Sequence, residues 1–71
     1  MLVATDKERI SANVRRLRRR AGLTQHELAE KAGISRATLA RIEAEESDPA
    51  ASTLRKLAAA LEVTVSDLFG D

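Results

Sequence analysis

Residues 24–43, Thr24-Gln25-His26-Glu27-Leu28-Ala29-Glu30-Lys31-Ala32-Gly33-Ile34-Ser35-Arg36-Ala37-Thr38-Leu39-Ala40-Arg41-Ile42-Glu43, decide the fold of this chain. Two short helical patterns stand back to back there, over 25–32 and about 36–44, separated by little more than Ala32, Gly33 and Ile34. A connection that short, built on glycine, sends the second helix off at a steep angle, because glycine enters the left-handed region without a Cβ penalty. That is the geometry of a helix-turn-helix.

Local chemistry specifies both helix starts. Thr24 followed three residues later by Glu27 is a capping box, and Leu23 with Leu28 brackets it as a hydrophobic staple. Ser35 is the next N-cap candidate, with Ile34 and Leu39 repeating the staple. Placing Leu39 and Ile42 inward at 100° per residue turns Ala37, Ala40, Arg41 and Ala44 outward, with Arg36 and Thr38 flanking them. Small residues and two arginines on an exposed face suit a rod that must enter a groove about 12 Å wide.

Upstream, Thr5 and Glu8 form another capping box, and Ile10, Val14, Leu17 and Ala21 fall on one stripe of a first helix closed by Gly22. Arg15 and Arg19 project opposite that stripe, with Arg16 and Arg20 to one side. Met1 to Ala4 read as an arm. Downstream, a polar loop from Glu46 to Asp48 meets Pro49, which cannot continue a helix but can open one. A fourth helix then carries Leu54, Leu57, Ala58 and Leu61 on one face. Thr64 with Asp67, flanked by Val63 and Leu68, opens a short fifth helix closed by Gly70.

Seventy-one residues make one domain, with residues 24–43 as its centre. At that size folding buries only about 60% of the unfolded chain's surface. The chain has no cysteine, which excludes disulfides and thiolate metal sites and fits a reducing compartment. No signal peptide is expected, since Met1 to Thr5 is too short for an apolar h-region, and no apolar run approaches a membrane span of about 20 residues. A cytoplasmic, nucleoid-associated protein is therefore expected. A net charge of +1 hides a strong polarity: residues 1–41 hold ten Lys/Arg against four acids, whereas residues 42–71 hold two against seven. The basic half attracts a polyanion while the acidic half is repelled from it.

Gln25, Ala29, Gly33, Leu39 and Ile42, with Leu17-Arg18, Gly22-Leu23, Glu43, Pro49, Thr53-Leu54 and Leu57-Ala58 around them, resemble the phage-repressor/Cro-type (XRE-like) helix-turn-helix family. The resemblance covers roughly residues 8 to 69 and rests on about a dozen spaced positions, more than one short motif supplies. It implies an all-α, five-helix lambda-repressor-like domain that regulates transcription by binding double-stranded DNA, its third helix in the major groove.

The expected DNA-binding set is Thr24, Gln25, Ser35, Arg36, Ala37, Thr38 and Arg41. Gln25 matches the family's phosphate-binding glutamine, and Ser35 is expected to cap its helix and touch backbone phosphate. Arg36, Ala37, Thr38 and Arg41 occupy base-reading positions. Arginine pairs bidentately with guanine and an alanine methyl meets the thymine methyl, so Arg36 or Arg41 is expected to touch a base edge, with phosphate contact or a solvated charge as the alternative. Arg18 and Glu43 match positions that form an internal ion pair in relatives. A homodimer is expected, because one short helix reads few base pairs and two-fold pairing places a second reader about 34 Å away. Its seam is expected at Leu61, Val63, Val65, Leu68 and Phe69, where Leu68 and Phe69 also read as ordinary core.

Two departures from the family pattern stand out. Glu45 occupies a position where members often carry glycine just past the third helix, and Ala50 stands where a serine often caps the fourth, leaving Asp48 or Ser52 as candidate caps. The competing reading is a protein-interaction module on the same fold, an antitoxin or a bridging coactivator with a protein partner. Catalysis is excluded more firmly: one histidine, no cysteine, no paired carboxylates and no glycine-rich phosphate loop leave no nucleophile and base. Neither cofactor nor metal is expected, and His26 reads as a surface residue.

Overall fold

Four helices of this chain begin where a serine or threonine oxygen meets an amide hydrogen. The computed structural model describes residues 4–70, within which five helices run in order: α1 (Asp6–Arg20), α2 (Gln25–Ala32), α3 (Arg36–Glu43), α4 (Ala51–Leu61) and α5 (Val65–Phe69). Thr5, Thr24 and Thr64 each accept the amide of a Glu or Asp three residues on, whose carboxylate returns to the threonine amide. Ser35 caps α3 by accepting from the Thr38 amide at 3.0 Å. Of the arm expected at Met1 to Ala4, only Ala4 lies within the described residues, exposed and outside any helix.

The capping carboxylates carry a pH signature. The Thr24 backbone N–H, then its hydroxyl, hold the Glu27 carboxyl below the usual carboxylate range, and Thr64 does the same to Asp67. A pKa lower in the folded state contributes stability above the unfolded value, and that contribution is lost as pH falls through the folded value. Both boxes therefore support neutral-pH folding and lapse in acid.

The helix exits are as uniform as the entries. Gly33, immediately after α2, takes φ 72°, which lets its amide reach the Glu30 carbonyl and the Ile34 amide reach Ala29. The same double bond closes α3 and α4, but there Glu45 and Glu62 occupy the left-handed residue, at φ 62° and 58°. A side chain in that region costs roughly 1–2 kcal/mol, which the loop accepts because the exit fixes the direction of the next helix.

The core is enclosed by α1 packed on α3, α4 and α5, with α2 packed on α3 and α4. Ile10 and Val14 of α1 meet Leu39 and Ile42 of α3, Leu54 and Leu57 of α4, and Leu68 of α5, while Leu28 anchors α2. Ala29 and Ala32 on α2 and Ala58 on α4 are buried, and their methyl groups let α2 and α4 pack closely. Asn13 Nδ2 donates to the Leu68 carbonyl at 3.1 Å and ties α5 to α1.

Three expectations are corrected. Ala21 is exposed, because α1 stops at Arg20 and the reversing turn carries Ala21 away from the stripe. Neither Asp48 nor Ser52 caps α4: the N-cap is Ala50, which has no side-chain hydrogen bond to offer, since only that position has the geometry to reach the free amides. Leu68 is fully buried and unavailable to a dimer seam.

Ala50→Ser should raise stability by about 1 kcal/mol through the missing cap, and Glu45→Gly by about 0.5–1 kcal/mol through relief of the left-handed residue. Urea unfolding of the single variants measures both. A midpoint that falls in either one contradicts the assigned helix boundary.

Candidate nucleic-acid interface

Helix α3 stands on a buried pedestal and shows a polar face. Leu39 and Ile42 are sunk into the core, Glu43 is buried beside them, and Arg36, Ala37, Arg41 and Ala44 are exposed on the other side. Thr38 and Ala40 lie half-buried at its edges. The Thr38 hydroxyl is 2.7 Å from the Ser35 hydroxyl, so the first turn is locked by two contacts between the same residues. Thr24 and Ser35 are exposed at the N-terminal ends of α2 and α3, where free amides and the helix dipole favour an anion.

The C-terminal end of α3 is fixed by its own last residue. Arg18 of α1 grips the Glu43 carboxylate with two donors, Nε to Oε2 at 2.8 Å and Nη2 to Oε1 at 3.0 Å. Its third donor group, Nη1, goes to the Leu23 carbonyl at 2.9 Å, which joins the α1–α2 turn to the same pair. The hydrogen bond that Arg18 donates to Glu43 raises the Arg18 pKa against the opposing effect of desolvation. The Glu43 side chain is 3% exposed and that of Arg18 13%.

Gln25 completes the carboxylate's shell, its Nε2 donating to Oε1 at 3.1 Å. A carboxylate oxygen only accepts, so the amide must present its nitrogen inward, leaving a second N–H and the Gln25 backbone N–H for an outside ligand. Gln25 is half-buried, in contrast to the fully outward glutamine a simple phosphate contact would need.

Ser11 is the residue that the sequence reading passed over. It is 1% exposed, and its hydroxyl donates to the Glu43 backbone carbonyl at 2.6 Å, taking one of the carbonyls that a helix end leaves free. A signal was present: Ser11 and Arg18 are seven residues apart, two helical turns on one flank of α1. His26 and Glu30 approach at 3.1 Å, but both are largely exposed, where such a pair contributes little. Among the described residues no group of His, Cys, Asp or Glu could hold a metal, and no helix is long and apolar enough to cross a membrane.

A helix-turn-helix family model matches residues 14–68, which takes in all of α2 to α4, the second half of α1 and most of α5. The chain belongs to the phage-repressor/Cro-type helix-turn-helix family. It is 40% identical over 62 residues to the immunity repressor protein of Bacillus phage phi105, covering 87% of this chain and 43% of the repressor. Among solved structures, an HTH_3 family transcriptional regulator from Vibrio cholerae superposes with a TM-score of 0.86 at 37% identity, over 92% of this chain and 36% of that one. The restriction-modification controller protein C.AhdI from Aeromonas hydrophila gives 0.85 at 28% identity, over 89% of this chain and 96% of that one. The chain spans less than half the length of the curated relatives it matches.

In this helix-turn-helix domain, Glu43→Ala should cost about 3–5 kcal/mol, because it leaves the Arg18 guanidinium buried without its partner. Glu43→Leu combined with Arg18→Met should cost clearly less than that, since it removes both charges together. Denaturant melts of the two variants make the comparison, and equal losses would show that packing alone matters here.

Proposed function

We propose that the chain is a sequence-specific, double-stranded DNA-binding transcriptional regulator that works in the cytoplasm at the nucleoid. The observation that carries this reading is the exposed face of α3, where Arg36 and Arg41 stand among alanines on a rigid pedestal. Fold alone would not be enough, since one fold hosts many functions. The face is narrow, positively charged and free of bulky apolar groups, which suits the major groove better than a protein pocket.

In this reading α3 lies along the groove floor. Arg36 and Arg41 hydrogen-bond base edges, Ala37 meets a thymine methyl, and Thr38 adds a hydroxyl contact. Thr24, Gln25 and Ser35 hold backbone phosphates and fix the register. The Glu43 contact orients Gln25 rather than competing with this role, because the second amide hydrogen points away from the carboxylate. Two copies pair about a two-fold axis, reading half-sites about 34 Å apart. Half-buried Leu61, Val63, Val65 and Phe69 provide the apolar seam.

Selection of bound sites from a random duplex pool should return a palindrome. On the selected site Arg41→Ala should cost about 1–3 kcal/mol and relax preference at one base pair, while Gln25→Ala should weaken selected and random DNA by similar factors. Matching losses of the two variants on both kinds of DNA would remove the base-reading role. Affinity should also fall steeply with salt, by about 0.9 in log–log slope per phosphate contacted. Salt-insensitive binding to a protein partner, without DNA affinity, would return the chain to the interaction-module reading.

A further inference from the structure

Among the described residues only Ser11 and Glu43 are buried polar or charged groups, and they are bonded to each other. Ser11 lies on α1, which packs against α3, and its hydroxyl donates to the Glu43 backbone carbonyl at 2.6 Å. A hydroxyl has one proton to give. A serine within a helix can spend it on a carbonyl one turn back in its own helix, and here it is spent on α3 instead.

The exit of α3 shows what that bond does. A helix leaves its last four carbonyls without a partner inside the helix. Three of the four in α3 are taken by the chain that follows: the Ala44 amide reaches Ala40 at 2.9 Å, the Glu46 amide reaches Arg41 at 2.9 Å and the Glu45 amide reaches Ile42 at 3.2 Å. Those bonds stay within the exit itself and reach no other helix. Only the fourth carbonyl, that of Glu43, is tied across to α1.

Arg18 and Gln25 hold the same residue by its carboxylate, at the far end of a side chain whose torsions separate it from the backbone. Ser11 holds the backbone directly. Its oxygen is carried on its own Cβ, so little slack lies between the main chain of α1 and that of α3.

The two arginines of the exposed face depend on different ends of α3. Arg36 opens the helix, in a first turn locked locally by Ser35 and Thr38. Arg41 lies two positions before Glu43, in the turn whose carbonyls the exit and Ser11 share. We propose that Ser11 is a positioning residue for sequence discrimination: through the Glu43 carbonyl it fixes the last turn of α3 and thereby the direction in which Arg41 meets its base pair, while Arg36 is set by its own cap. This rests on the reading of Arg41 as a base contact.

The test measures affinities by fluorescence anisotropy for the site selected from a random duplex pool and for derivatives in which each base pair of a half-site is changed singly. Arg41→Ala marks the base pair that Arg41 reads, where one bidentate contact supplies roughly 5- to 150-fold preference. Ser11→Ala should lower the preference at that same base pair by about threefold or more, leave the others as they are, and add nothing there in an Arg41→Ala background. Ser11→Cys, close in shape but a weaker donor, should lie between Ser11→Ala and wild type. Loss of folded protein lowers the affinity for every duplex by the same factor and so cancels from each preference. Thr5→Ala, which removes the α1 cap and leaves the Ser11 bond in place, should accordingly change no preference.

A wild-type preference at the marked base pair in Ser11→Ala, or in Ser11→Cys where the alanine variant does not fold, overturns the positioning role and leaves base reading standing. Equal losses at every base pair, or the same losses in Thr5→Ala, also overturn it, since Ser11 then serves the fold as a whole. If Arg41→Ala relaxes no base pair, base reading by Arg41 is overturned and the role of Ser11 with it.

Discussion

The structure turns on one carboxylate. Glu43 is the last residue of α3, and donors from two other helices converge on it: Arg18 twice and Gln25 once on the side chain, with Ser11 on the backbone carbonyl. A buried ion pair is poor evidence for stability, because desolvating both charges offsets most of their attraction. Its value here is directional. Hydrophobic contacts from Leu39 and Ile42 keep α3 attached, yet apolar packing tolerates small rotations that a bidentate arginine fork does not. Arg18 also holds the Leu23 carbonyl, so the α1–α2 turn, the start of α2 and the end of α3 are registered to one point.

That registration complements the short connections. Gly33 sends the chain from α2 into α3 in a fixed direction, and Ser35 starts the new helix at once. The entry of α3 is therefore set by local geometry and its exit by long-range hydrogen bonds, so both ends of an eight-residue helix are determined independently. A helix this short would not persist alone in water. Rigidity comes from its neighbours, which leaves its outward residues free to be chosen for a ligand.

How much of this was legible in the sequence depends on the range of the interaction. All three capping boxes and the Ser35 cap were readable, since each involves residues three apart whose geometry hardly depends on the rest of the chain. The left-handed exit at Glu45 could be posed as a question but not answered, because its strain is accepted only if the loop beyond is held. Ala21 shows the limit of periodicity: a stripe continues on paper after the helix has ended. Leu68 shows another, since an apolar residue on a terminal helix reads equally as core or seam until the packing of α5 on α1 is known. Ser11 was missed because a lone serine in a helix carries little signal, and its partner is a backbone carbonyl 32 residues away.

Charge polarity takes on a shape once the helices are placed. The first 41 residues hold a surplus of six positive charges, but α1 divides its share between two flanks. Arg16 faces Asn13 and the neighbourhood of Asp67, so on that side the basic segment meets the acidic one and is partly neutralised. Arg15 and Arg19 line an open notch between α1 and α3, where the one lining carboxylate, Glu43, is already held by Arg18. The positive charge is consequently concentrated along one side of α3 and offset near α5 and the loop after α3. A protein with that asymmetry approaches a polyanion in a preferred orientation, and orientation during encounter raises the rate of productive contact before any base is read. The same asymmetry has a cost in specificity, because a grip on phosphates strengthens binding to every sequence alike. In the proposed reading, discrimination rests on Arg36, Arg41 and their neighbours, whose positions depend on how firmly Glu43 holds the helix beneath them.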